Sequence, residues 1–273
     1  IQINLQVQAY AVEICKKLFE SYGSRINVNS LDSEYITNLQ YRTPYTPHLV
    51  SNLSWHITEH AYATLVGRSV SPEFMNYLKL EPIDVSSFNL PKSYAVVTTG
   101  YTSKTRIFKS EYVNEVSDYL NSIGITPVYL GKKATYADRN NIIEGKFEAD
   151  YTKGINLIDE TDLFQAHSIM ANSKFVLGLD NGLLHLASLS DVPVIWGFTS
   201  VLPEHRLPYR NNQLGFNAYV VQPTEQELAC IGCQSKQNFN DAKFSFTNCA
   251  YDDYACLDLM TSNRWIEQIK KVL

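Results

Sequence analysis

The chain has 273 residues, of which 45% are hydrophobic, so it can bury one large core or two smaller ones. Its net charge of −5 comes without any block of Lys and Arg, which argues against a nucleic-acid-binding protein. No apolar stretch is long enough to cross a bilayer, and the amino terminus lacks the basic and apolar regions of a secretory signal. These features predict a cytoplasmic protein.

The first part of the chain has few clear elements. Residues 1–6 have the pattern of an interior strand already under way, and residues 9–22 have the apolar spacing of an amphipathic helix. Residues 24–53 are rich in Asn, Ser, Thr, Tyr and Pro, which predicts loops. A second helix is expected over residues 53–66, and a linker near residues 81–91.

Strands and helices alternate in the rest of the chain. Short apolar runs predict strands at 94–99, 125–130, 155–158, 175–179, 192–198 and 218–221. Helices are expected between them, including 110–122, and a last helix over 264–273. This alternation predicts an α/β protein with a doubly wound parallel sheet. Ligands bind such sheets at the carboxyl ends of the strands.

The most informative turn is Asp180-Asn181-Gly182, which follows one predicted strand and opens a short helix containing His185. Free backbone N–H groups and the helix dipole attract anions at such a place, and Gly182 lets a ligand approach the backbone. The sequence therefore predicts a phosphate site here. A turn without a ligand in an ordinary α/β domain remains the alternative, and His185 would then simply pack against the sheet.

A second polar loop follows the strand at 94–99. It contains Thr99, Gly100, Lys104 and Arg106, whose hydroxyl groups and cations could hold a diphosphate. The register leaves open whether Lys104 or Arg106 is the phosphate cation. The alternative is a solvated loop without a ligand.

Four of the five cysteines are Cys230, Cys233, Cys249 and Cys256. A Cys-x-x-Cys pair with two later cysteines suits a structural zinc ion, and a reducing cytoplasm disfavours disulfides. Free thiols or a redox-dependent bridge are the other interpretations.

A pattern from another class of protein is formed by His56, Glu59 and His60. On a helix both histidines would share a face, as in inverted zinc peptidases. A polar helix face explains the same residues, and no third ligand is identifiable.

The segment 175–199 gives the chain a family resemblance. Asp180-Asn181-Gly182, His185-Leu186-Ala187, Val192-Pro193-Val194-Ile195, Gly197 and Thr199 resemble the nucleotide-sugar motif of glycosyltransferase family 9, the heptosyltransferase-like enzymes. That family commonly has Ser or Thr where this chain has Asn181.

The resemblance implies a GT-B type fold with two Rossmann-like lobes. Residues 1–90 would be an incomplete acceptor-side lobe, and residues 91–273 would hold the nucleotide sugar and include the Cys-rich segment 230–256 and the terminal helix. The catalytic base of the family is an Asp in a segment that would lie upstream of Ile1, so no base is assigned on this chain.

The implied activity is inverting, metal-independent transfer of a heptose-like sugar from a donor such as ADP-heptose. The implied acceptor is a glycan or a lipid-linked glycan of the lipopolysaccharide type, with peripheral contact at the inner face of the membrane. A non-catalytic nucleotide-sugar or glycan-binding protein is the alternative. The residues expected to bind the donor are Thr99, Gly100, Lys104, Arg106, Asp180, Asn181, Gly182, His185 and Thr199.

Overall fold

A computed structural model describes residues 3–7, 11–30, 77–99, 104–131, 135–138, 141–144, 150–236, 249 and 251–273. The strands are β1 (Ile3–Val7), β2 (Ile26–Ser30), β3 (Tyr94–Thr98), β4 (Thr126–Leu130), β5 (Thr135–Asp138), β6 (Asn141–Glu144), β7 (Ile155–Asn156), β8 (Val176–Leu179), β9 (Val194–Gly197), β10 (Tyr209–Arg210), β11 (Gln213–Leu214) and β12 (Ala218–Val221). The α-helices are α1 (Val12–Leu18), α2 (Ser110–Ser122), α3 (Leu163–Ala171), α4 (Gly182–Ala187), α5 (Cys233–Lys236), α6 (Ala255–Asp258) and α7 (Ser262–Val272). The predicted alternation of strands and helices is confirmed.

The centre of the fold is a six-stranded parallel sheet with the order β12-β9-β8-β3-β4-β7. Numbered along the chain within this sheet, the order is 6-5-4-1-2-3, which is that of dinucleotide-binding doubly wound folds. The winding reverses between β3 and β8. Folds of this kind bind ligands beside the carboxyl ends of the two strands at such a reversal.

Helices cover both faces of this sheet. Alternate strand residues point to opposite faces, so Val96 and Trp196 belong to one buried cluster and Val97 and Ile195 to the other. The first cluster includes residues of α3 and α4, and the second includes residues of α2 and α7. The sheet is therefore doubly wound, as predicted.

The terminal helix α7 packs on this lobe. Its Trp265 is fully buried, stacks on Phe108 with ring centroids 4.4 Å apart, and donates from its indole N–H to the Met260 carbonyl. The helix contacts α2, β9 and β12. A Cβ on Gly197 of β9 would come within 2.6 Å of the Trp265 ring, so the glycine permits this close packing.

The amino-terminal region contains two parallel strands, β1 and β2, with α1 between them in the chain. Strand β2 lies in a segment predicted to be loop. Asn and Ser dominate that segment, but Val28 is 8% exposed, and its burial supports a short strand. Helix α1 is shorter than predicted because residues 20–25 form a 3-10 helix instead. The helix expected over residues 53–66 lies outside the described residues.

None of the helices in the described ranges is both long enough and apolar enough to span a membrane.

Candidate functional site

The carboxyl ends of β3 and β8 are tied together by a side-chain hydrogen bond. Asn181 Nδ2 donates to Thr98 Oγ1 at 3.0 Å. The two strands approach closely because Gly178 has no side chain, and a Cβ there would lie 1.9 Å from Thr98 Oγ1 and 2.7 Å from the Thr98 carbonyl oxygen. The two polar loops predicted from the sequence therefore meet at the point where the winding reverses.

Asn181 also caps helix α4. Its Oδ1 accepts hydrogen bonds from the backbone N–H groups of Leu183 at 2.9 Å and Leu184 at 3.3 Å. These are two of the N–H groups that the sequence analysis assigned to an anion. Asn181 uses them in this structure, so these two N–H groups are not available to a ligand. Among the residues that the structure describes, no atom beyond the glycine's own turn lies within 4 Å of a Cβ built on Gly182.

Asp180 is the buried centre of the site. The residue is 6% exposed, and its carboxylate lies 3.5 Å from Arg106 Nη1, 3.8 Å from Arg206 Nε and 3.7 Å from His185 Nε2. Arg106 Nη1 also donates to the Asp180 carbonyl oxygen at 3.2 Å. Burial alone would raise the pKa of this carboxyl, but His185, Arg106 and Arg206 outweigh burial and hold the pKa below its ordinary value. Asp180 is therefore an ionised group that organises cations.

The ring of His185 is fixed from several sides. Nδ1 lies 2.9 Å from the Tyr77 hydroxyl, Nε2 faces Asp180, and the ring meets the Trp196 ring edge to face at 4.9 Å. Burial, with a further contribution from Asp180, raises the pKa of Tyr77, which keeps its hydroxyl protonated. His185 thus lies at the predicted site, with its ring held by protein groups.

The Lys104–Arg106 segment is a 3-10 helix held by the residues that follow β9. The Thr199 hydroxyl donates to the Thr105 carbonyl at 2.6 Å, and Ser200 Oγ donates to Thr105 Oγ1 at 3.2 Å. Thr199 is 2% exposed, and its assigned role in donor binding stays a prediction. Arg106 reaches Asp180, whereas Lys104 is exposed.

Thr99 and Gly100 are the remaining residues of the predicted site. Thr99 is 5% exposed and its hydroxyl lies 3.3 Å from the Tyr151 hydroxyl. Gly100 lies outside the described residues. The roles assigned to these residues stay predictions.

Sequence reasoning missed two members of the site, Arg206 and Tyr77. Arg206 follows the 3-10 helix Pro203–His205 in the connection after β9, and Tyr77 precedes the sheet altogether. A cation after the carboxyl end of a neighbouring strand is a signal that could have identified Arg206. Tyr77 belongs to no local motif.

The four clustered cysteines come together in space. Each thiol lies close enough to the others for their charges to interact. Burial, reinforced by the neighbouring thiols, raises the pKa of Cys233 to about 11 and that of Cys256 to about 12. Among the described residues, no three His, Cys, Asp or Glu side chains have an arrangement that could hold a metal ion. His56, Glu59 and His60 lie outside the described residues.

The fold and the site together define an α/β protein in which cationic side chains lie at the carboxyl edge of a parallel sheet, at the point where its winding reverses. Residues 33–236 match glycosyltransferase family 9 (heptosyltransferase), and the chain belongs to that family. The protein is a glycosyltransferase, and the resemblance found in the sequence is confirmed. No curated protein matches the chain.

Solved structures of similar fold include several glycosyltransferases. The iron-containing dodecameric glycosyltransferase TibC from enterotoxigenic E. coli H10407 has a TM-score of 0.65 and 16% identity, over 100% of this chain and 68% of that chain. Heptosyltransferase TibC in complex with ADP-D-β-D-heptose has a TM-score of 0.60 and 15% identity, over 99% of this chain and 76% of that chain. E. coli ADP-heptose lps heptosyltransferase II has a TM-score of 0.55 and 12% identity, over 99% of this chain and 89% of that chain. These similarities confirm the predicted α/β fold of the GT-B type.

Proposed function

We propose that this glycosyltransferase takes a heptose-like sugar from a nucleoside-diphosphate donor such as ADP-heptose, and that the carboxyl edge of β3 and β8 holds the diphosphate. The observation that carries the proposal is the set of cationic side chains around buried Asp180 at the switch point. TibC, which has a similar fold, was solved with ADP-D-β-D-heptose, and this supports a donor of the same class.

The proposed chemistry is an inverting displacement at the sugar carbon. The leaving nucleoside diphosphate develops negative charge, which Lys104 and Arg106 would stabilise from the edge of the sheet. The Gly182 N–H, at the open start of α4, would add a backbone donor. In the proposed mechanism these groups stabilise the charge on the leaving nucleoside diphosphate, and no step is assigned to a metal ion. A general base outside the described site would deprotonate the acceptor hydroxyl.

We propose that residues 91–273 bind the donor and that residues 1–90 form the acceptor side. Since the related E. coli enzyme is a lps heptosyltransferase, we propose a glycan or lipopolysaccharide-type acceptor. Such an acceptor would bring the protein to the cytoplasmic face of a membrane.

We expect ADP at about 100 times its dissociation constant to raise the Tm by roughly 5 to 10 °C, because ligand binding at that level stabilises a protein by about 2.7 kcal/mol. UDP and GDP should have smaller effects. Thermal melting with each nucleotide measures this, and release of ADP from ADP-heptose in the presence of an acceptor measures transfer. The proposal fails if no nucleoside diphosphate raises the Tm.

Two lysine variants test which edge of the sheet binds ADP. Lys104→Ala removes an exposed cation at the carboxyl edge of the sheet and should weaken ADP binding about 10-fold. Lys174→Ala removes an exposed cation just before β8, at the opposite edge, and should leave ADP binding unchanged. Equal losses in both variants would contradict the assigned edge.

We also propose that Cys230, Cys233, Cys249 and Cys256 hold a structural metal ion. The support is that four thiols, a donor set that suits zinc or iron, lie near one another. They do not have the arrangement of a metal site in this structure, so binding would require them to move closer together. The Cys-x-x-Cys pair with two later cysteines is the reason for proposing zinc. Iron is the second candidate because TibC, which has a similar fold, is iron-containing.

The metal proposal predicts about one tightly bound zinc or iron ion per chain. Cys233→Ser should remove the metal and lower the Tm, whereas Cys15→Ser, in helix α1, should retain it. Elemental analysis and thermal melting of the purified variants provide the readout. Purified wild-type protein that contains neither metal and has four titratable free thiols in this segment would contradict the proposal.

A further inference from the structure

Tyr77 contacts helix α4 although it precedes the central sheet in the chain. Its backbone N–H donates to the Tyr209 carbonyl at 2.8 Å, and the Leu80 N–H donates to the Leu189 carbonyl at 2.8 Å. These bonds hold the segment that leads to β3 against β10 and against the residues that follow α4. The Tyr77 hydroxyl lies 2.9 Å from His185 Nδ1. A side chain from outside the sheet therefore contacts the predicted donor site.

The neighbours of His185 determine which ring nitrogen carries the proton. Asp180 is ionised, so it can only accept a hydrogen bond, and it faces His185 Nε2 at 3.7 Å. The negative charge of this carboxylate favours a proton on Nε2. A neutral imidazole has one N–H, so Nδ1 then carries the lone pair that accepts from Tyr77. Burial raises the pKa of Tyr77, with a further contribution from Asp180, so the hydroxyl keeps the proton that it donates.

Ring packing fixes the plane of His185 but not the positions of its nitrogens. The rings of Tyr77 and His185 stack with centroids 6.1 Å apart, and the fully buried Trp196 meets the His185 ring edge to face at 4.9 Å. A ring turned over by 180° would occupy the same space. Only a nitrogen can accept the Tyr77 proton, so the hydroxyl selects one of these two orientations.

The proton on His185 Nε2 can still be given to a ligand. The 3.7 Å between Nε2 and Asp180 is longer than the roughly 2.7 to 3.2 Å of an N–H···O hydrogen bond. The His185 side chain is also 26% exposed, so a ligand at the carboxyl edge can reach the ring. A phosphate oxygen at hydrogen-bond distance would be a closer acceptor than Asp180.

We infer that Tyr77 is a positioning residue for donor binding, because its hydroxyl holds the His185 ring with the Nε2 proton available to a phosphate oxygen of the nucleotide sugar. This inference rests on the proposed function. It also extends the donor site beyond residues 91–273, since Tyr77 lies in the preceding segment.

Tyr77→Phe tests the inference, because it removes the hydroxyl and keeps the ring that stacks on His185. ADP binding should weaken about 3- to 10-fold, because the hydrogen bond that orients the phosphate donor is lost. Adenosine has no phosphate, and its affinity should change less than about twofold. Ligand-observed NMR measures both dissociation constants.

Tyr94→Phe is the matched control. Tyr94 is 5% exposed at the amino end of β3, and its hydroxyl donates to the Ile169 carbonyl at 2.8 Å. This variant also loses a buried hydroxyl and its hydrogen bond, but it should bind ADP like the wild type. Equal weakening of ADP binding in the two variants, or equal weakening of ADP and adenosine in Tyr77→Phe, overturns the inference, since the loss would then be structural.

Nitrogen-15 NMR of the histidine rings tests the assigned proton in the wild type, and so applies even if Tyr77→Phe does not fold. At mildly alkaline pH, His185 should carry a proton on Nε2 and none on Nδ1, with its signals assigned by comparison with His185→Gln. A proton on Nδ1 overturns the inference, since Tyr77 would then accept rather than donate. Unchanged ADP binding in Tyr77→Phe also overturns it and leaves the proposed function intact. A wild-type protein that binds no nucleoside diphosphate overturns the proposed function itself, and this inference with it.

Discussion

Asp180→Asn should lower the Tm by roughly 6 to 12 °C, although the substitution only replaces one carboxylate oxygen by an NH2 group. Asp180 is 6% exposed and faces two guanidinium groups. Removing one partner of a buried ion pair leaves uncompensated charge and costs about 3 to 5 kcal/mol. An amide also donates hydrogen bonds, and a donor facing Arg106 and Arg206 is repelled. Thermal melting of the two proteins at neutral pH measures the effect.

The same variant should bind ADP more weakly, because Arg106 and Arg206 lose the carboxylate that positions them. Glu267→Gln provides the control, because it makes the same change from carboxylate to amide on the surface. Glu267 pairs with Lys270 at 2.9 Å, and the two side chains are 63% and 54% exposed. Exposed pairs contribute about 0 to 1 kcal/mol, so this variant should melt close to the wild type. Similar losses of stability in both variants would refute the central role of Asp180.

The fold was largely predictable because its strands are short apolar runs with clear ends. Helix α2 and strand β12 have the predicted boundaries, and Gly124, with a φ of +75°, supplies the left-handed position that ends the turn after α2. Strand β2 was missed because the Asn, Ser and Pro content of residues 24–53 was taken to indicate loops, although Ile26 and Val28 alternate with polar residues as in a half-buried strand.

The site was predictable where it depends on strand ends. Arg106 and Asp180 follow two strands that proved to be neighbours, so the doubly wound order brings them together. Arg206, which follows β9, could have been identified by the same rule. Tyr77 could not, because it belongs to an irregular segment that precedes the sheet. The capping by Asn181 was accessible in principle, since Asn is among the strongest N-cap residues.

Gly178→Ala should destabilise the protein by about 3 kcal/mol or more, because the new methyl group has no space. Its Cβ would lie 2.7 Å from the Thr98 carbonyl oxygen and 1.9 Å from Thr98 Oγ1, so β3 and β8 would have to separate. Separation would break the Asn181 to Thr98 hydrogen bond that joins the two loops of the site. We therefore expect a lower Tm together with weaker ADP binding.

Gly182→Ala adds the same methyl group four residues later in the chain, where no atom of the described residues beyond its own turn lies within 4 Å. Ala is a better helix former than Gly by about 1 kcal/mol, so this variant should be at least as stable as the wild type. The methyl group would still crowd a phosphate that approaches the start of α4. The two variants therefore test two different requirements of the site. Gly178 allows β3 and β8 to approach, and Gly182 leaves room for the ligand. A Gly178→Ala protein that melts like the wild type would show that β3 and β8 do not need this close approach.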